Sequence, residues 1–87
     1  MDESLLRVFN HCQTVAARRP GVICDKDREV LHICQLVPAL WIEVRIEQAI
    51  GGRAQIRVTE FRVRGFKRHQ ACCAWEASTL IEQILFS

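Results

Sequence analysis

No apolar run in this chain approaches the ~18 residues that a membrane-spanning helix needs, so a helical membrane protein is excluded. There is no HExxH, no phosphate-cradling glycine loop and no nucleophile elbow. Tyrosine is absent, and the acidic residues are scattered rather than paired. With 87 residues there is little room for a deep pocket, so the expectation is a non-enzymatic protein with no cofactor and no catalytic residue. No internal repeat, linker or low-complexity segment interrupts the chain, which is sized for one domain, 1–87. The N-terminal Met-Asp-Glu lacks the basic and apolar regions of a secretory signal.

Five cysteines are present, an odd number, and no two form a CxxC. Without an export signal they read as reduced thiols, which places the protein in the cytoplasm or nucleus. His69 with Cys72 or Cys73 has helical i,i+3 or i,i+4 spacing, and His32 and Cys34 share one face of a strand. Those four would make a zinc site only if strand and helix met. A small buried thiol beside a satisfied histidine is the simpler expectation, and no metal site is assigned.

The apolar fraction of 49% and the charged fraction of 25% belong to an ordinary globular domain. A domain this small buries only about 60–65% of the surface its unfolded chain exposes, so association with a partner would help it. Residues 1–50 carry six Lys/Arg against seven Asp/Glu, and residues 51–87 carry six against three. The second half is therefore net +3, a mild pointer to an anionic partner.

Leu5, Phe9, Cys12 and Ala16 recur at helical spacing, with Leu6, Val8 and Val15 widening the stripe. They predict a helix from Glu3 to about Arg19, stopped by Pro20-Gly21. Val22–Cys24 and Val30–Val37 read as strands around an Asp25–Arg28 turn. Leu40–Gln48 alternates cleanly, with Leu40, Ile42, Val44 and Ile46 on one face and Trp41, Glu43, Arg45 and Glu47 on the other. Gly51-Gly52 supplies a hairpin turn into a strand over Arg53–Arg64. That strand changes phase between Val58 and Phe61, which predicts either a bulge near Thr59-Glu60 or a passage from one buried face to the other. From Lys67 to Phe86 the pattern turns helical, with Ala71, Ala74, Trp75, Ser78, Ile81 and Leu85 on one face. The predicted fold is α+β, a two-layer α-β-β-β(-β)-α sandwich with an antiparallel sheet and both helices on one face.

Arg62, Arg64, Lys67 and Arg68, with His69, fall within eight residues and straddle Gly65. On this reading Lys67 and Arg68 open a helix, where positive charge opposes the dipole. An external phosphate would resolve the conflict. Arg53 and Arg57 are secondary candidates on the same basic half. The run Gly65-Phe66-Lys67-Arg68-His69-Gln70-Ala71, continuing with Ala74, Ala77, Leu80 and Ile84, resembles the opening of the final helix in double-stranded RNA-binding domains. The resemblance implies that Lys67, Arg68 and His69 contact phosphates across the groove of an A-form duplex. It also implies that the first helix and the Gly51-Gly52 region touch the flanking minor grooves.

The leading expectation is thus a small binding module for structured RNA or another phosphate-rich partner. The alternative is a protein-interaction or homodimerisation module, an adaptor or inhibitor, using the apolar residues Trp41, Trp75, Leu80, Ile84 and Leu85.

Overall fold

The computed structural model describes residues 3–48 and 54–86. Seven elements follow one another: α1 (Glu3–Ala16), β1 (Val22–Lys26), β2 (Val30–Gln35), β3 (Leu40–Gln48), β4 (Ala54–Arg62), β5 (Gly65–Ala71) and α2 (Ala74–Phe86). The strands form one antiparallel meander in the order β1-β2-β3-β4-β5, and both helices lie on one of its faces. The α+β sandwich expected from the sequence is present, with a fifth strand.

Helix α1 buries Val8, Phe9, Cys12, Val15 and Ala16, a stripe at i, i+1, i+4, i+7 and i+8. It ends at Ala16 rather than Arg19. Ala17, Arg18 and Arg19 form a closing turn, and Gly21 (φ +83°) supplies the left-handed residue that redirects the chain into β1. Strand β3 is the frame of the sheet. Leu40, Ile42 and Val44 are buried beneath the helices, and Ile46 packs against the core edge. Leu31 and Ile33 of β2 and Ile56 and Val58 of β4 complete the layer. Gln35 ties the corner together. Its amide donates to the Pro38 carbonyl at 2.9 Å and its carbonyl accepts from Arg19 Nε at 2.6 Å.

The phase change in β4 is not a bulge. The β3–β4 register runs without interruption from Gln48↔Ala54 to Trp41↔Phe61. Apolar residues change sides instead: Ile56 and Val58 face the helices, while Phe61 faces outward. The Gly51-Gly52 turn lies outside the described residues.

The larger correction concerns Lys67 to Ala71. This segment is strand β5, and α2 begins only at Ala74. The Ala71 and Ala74 that suggested a continuous helix face belong to two different elements. Cys72 and Cys73 make the bend between them. The start of α2 is conventional: Glu76 in its first turn accepts a hydrogen bond from the Cys72 backbone N–H at 2.7 Å. Its buried face is Ala77, Ser78, Ile81, Ile84 and Leu85, with Trp75 on the exposed side.

An odd number of antiparallel strands separates the helices, and each helix joins the sheet through a short reversal. The helices therefore run in the same direction. The groove between them shows this: Asn10, Thr14 and Arg18 of the α1 side lie along Trp75, Ser78 and Glu82 of α2. Arg18 reaches Glu82 at 3.9 Å, and the Arg19 guanidinium lies 5.7 Å from the Phe86 ring centre.

Candidate functional site: the β4–β5 hairpin and the outer sheet face

Strands β4 and β5 are joined at Val63-Arg64, and the last pair of the ladder is Arg62↔Gly65. Gly65 holds φ +145°, a backbone angle side-chain-bearing residues rarely adopt. Above it the register pairs Phe61↔Phe66, Glu60↔Lys67, Thr59↔Arg68 and Val58↔His69. Val58 is core, so Glu60, Arg62, Lys67 and His69 share the helix-facing side by strand parity. Phe61, Phe66 and Arg68 are on the other side. Residues 61–68 are all exposed, so this end of the hairpin extends beyond the cover of the helices.

The four cations expected from the sequence are thus brought together, but on a strand pair. None of them opposes a helix dipole, because none is at a helix start. They surround the hairpin: Arg62 and Lys67 on one face, Arg68 on the other, Arg64 at the turn. The run that resembled a helix opening is a strand, so the proposals below rest on the hairpin.

A single carboxylate sits among them. Glu60 is buried, and its Oε2 accepts from Arg62 Nε at 2.7 Å while Oε1 lies 3.1 Å from His69 Nε2. Burial alone would raise the Glu60 pKa; the hydrogen bonds and charges of Arg62 and His69 outweigh it and hold the carboxyl below its ordinary value. Arg62 and His69 are occupied by this contact. Arg64 and Lys67 have no ion-pair partner among the described residues. Arg68 packs its guanidinium 5.2 Å from the Phe66 ring centre. A shallow depression of about 310 Å³ is lined by Glu60, Arg62, Arg64, Gly65, Phe66 and Lys67. Of the secondary candidates, Arg57 is engaged by Glu47 at 2.8 Å, and Arg53 lies outside the described residues.

Sequence reasoning missed the row beside the hairpin. On the face turned away from the helices, Ile23, Cys34, Trp41, Phe61 and Phe66 are successive register partners across all five strands. Their exposure is high for large apolar groups: 62% for Ile23, 43% for Trp41, 36% for Phe61 and 59% for Phe66. Phe61 and Phe66 touch with ring centres 6.0 Å apart. Leu36, Val37 and Val63 extend the apolar surface into the adjoining turns. The outward parity of Trp41 was legible. The signal for Phe61 and Phe66 was the two-residue turn before Gly65, which makes them cross-strand neighbours.

Of the apolar interface candidates, Trp41 and Trp75 are exposed on opposite layers of the molecule. Leu80 is partly buried against the core, while Ile84 and Leu85 are core residues. The C-terminal helix therefore spends most of its apolar face on the sheet, leaving Trp75 and Phe86 exposed, while a continuous uncovered apolar row lies on the sheet's outer side.

His32 and Cys34 lie on that outer face, and His69 on the helix-facing side, so the two proposed ligand pairs point away from each other. Among the described residues no three His, Cys, Asp or Glu side chains converge on one point. His32 packs edge-on against Trp41 with ring centres 5.4 Å apart; its Nδ1 is buried 3.9 Å from a Glu43 carboxylate oxygen and makes no hydrogen bond among the described residues. Among the described residues no helix is long and apolar enough to cross a membrane. Compared with protein-family models, curated proteins and solved structures, the chain matches none.

Proposed function

We propose that the protein is an RNA-binding module whose phosphate contacts come from the β4–β5 hairpin. One observation carries the reading. Arg64, Lys67 and Arg68 are exposed at an overhanging hairpin end, and the only carboxylate there, Glu60, is already occupied by Arg62 and His69. Positive charge left without an internal partner is a binding surface for an external anion.

The arrangement favours a structured RNA over a single phosphate group. Lys67 and Arg68 extend to opposite sides of the hairpin, so a strand pair entering a groove meets phosphates on both sides. Recognition of this kind reads shape and backbone rather than sequence. Glu60 holds Arg62 along β4 and reaches His69 on β5, so one carboxylate ties the two strands together above the turn.

The test is a titration of a labelled RNA hairpin, an unpaired RNA and a DNA duplex at two salt concentrations. Three phosphate contacts give a log–log salt slope of about −3, so affinity for the RNA hairpin drops on the order of 50-fold between 50 and 200 mM salt. Lys67→Glu/Arg68→Glu is expected to remove most of this binding. Affinity that ignores salt, or survives the double substitution unchanged, refutes the reading.

A further inference from the structure

The outer sheet face raises a separate question, independent of RNA binding: what covers the row Ile23–Cys34–Trp41–Phe61–Phe66? We infer that a second copy of the chain does, sheet against sheet, about a two-fold axis running along β3.

The row is the first reason. Stacked sheets stand about 10 Å apart with interdigitating side chains, which suits large groups such as Trp41, Phe61 and Phe66. An axis along the strands reverses the strand order and keeps each position along the strand. The apolar row then lies on its own copy: Ile23 on Phe66, Cys34 on Phe61, Trp41 on Trp41.

Charge complementarity is the second reason. The next row across the sheet is Asp25, His32, Glu43, Thr59 and Arg68, again successive register partners. It is acidic at the β1 end and basic at the β5 end. The same axis puts Asp25 opposite Arg68 of the second copy, twice per dimer. An axis across the strands leaves both charges unopposed. On the axis itself Glu43 faces Glu43 of the second copy and Arg45 faces Arg45, and the intrachain Glu43–Arg45 pair, 3.7 Å apart, offsets both like-charge contacts. His32 and Thr59, the second and fourth members of this row, fall opposite each other across the same axis.

Size is the third. Five strands at about 4.8 Å spacing give a face about 19 Å wide and about 30 Å long at β3, of the order of 600 Å² in plan. With side-chain relief this approaches the roughly 800 Å² per partner of a standard stable interface. Arg62, Arg64 and Lys67 stay outside the interface, at the turn and on the helix-facing side, so the dimer leaves these cations open to RNA and withdraws only Arg68, for which RNA and the second copy's Asp25 compete.

Sedimentation velocity from micromolar to several hundred micromolar protein tests the inference, with circular dichroism confirming that each variant is folded. The wild type is expected to dimerise in this range. Trp41→Glu and Phe66→Glu, both on the outer surface, are each expected to give monomers. Asp25→Arg and Arg68→Asp are each expected to weaken the dimer at least tenfold, and the double swap Asp25→Arg/Arg68→Asp to restore it. A wild type that stays monomeric overturns the inference, as does a dimer that survives both Trp41→Glu and Phe66→Glu. A double swap no better than the single changes overturns the two-fold arrangement. A monomer whose Trp41 fluorescence, read in Trp75→Phe, is quenched by RNA overturns the inference and assigns the face to nucleic acid instead. RNA affinity is read separately through Lys67→Glu, which leaves the row intact.

Discussion

At the scale of single residues, environment separates chemically identical groups. The Cys12 thiol is buried in the core, and burial, helped by the neighbouring Cys24, pushes its pKa up to about 12. Cys72 and Cys73 are exposed at the bend before α2. A thiol reagent at neutral pH is therefore expected to modify Cys72 and Cys73 in the folded protein and Cys12 only on unfolding, as peptide mapping after brief labelling would show. Cys12 reacting as fast as the exposed pair would contradict its place in the core. Glu60 offers a pH signature. Its folded pKa lies below the unfolded value, so its contribution is present above that unfolded value, about 4.3, and is lost as pH falls through the folded pKa. Urea unfolding near neutrality and in acid is expected to show a smaller acid loss of stability in Glu60→Gln than in the wild type.

At the scale of elements, the hairpin turn is held by backbone angle rather than by contacts. A Cβ at Gly65 would meet nothing within 4 Å, but its φ of +145° is strained for any other L-residue. Gly65→Ala is expected to cost roughly 1–2 kcal/mol in urea unfolding, with no loss of core packing. This element also marks where sequence reading stopped working. Strand β3 was legible to its last residue because Leu40, Ile42, Val44 and Ile46 alternate strictly with charged or wet neighbours. Strand β5 was not, because it overhangs the helices and buries only Ala71 along its length. With no inward apolar partner every second residue, it carries no period-two signal. Its one buried alanine continued the pattern of α2, so the helix was read seven residues too early. The cations of the site were legible by composition; their placement depended on an element that tertiary pairing with β4 creates.

At the scale of the whole molecule, stability is shared across a thin core. Phe9 is fully buried between the helix layer and the sheet, and Phe9→Ala is expected to cost about 3–5 kcal/mol. That is a large part of the few to roughly 13 kcal/mol available to a domain of this length. Thermal melts are expected to show a sharply lowered midpoint; a shift of only a degree or two would mean that the helix layer contributes little. The parallel course of α1 and α2 has a further consequence, which is one of parity. Each added strand reverses the direction in which the chain reaches its final helix. A four-stranded version of this sheet would deliver α2 upside down, its Ile81, Ile84 and Leu85 climbing the wrong way past Phe9 and Cys12. Related chains could lengthen or shorten this meander only by whole hairpins, two strands at a time.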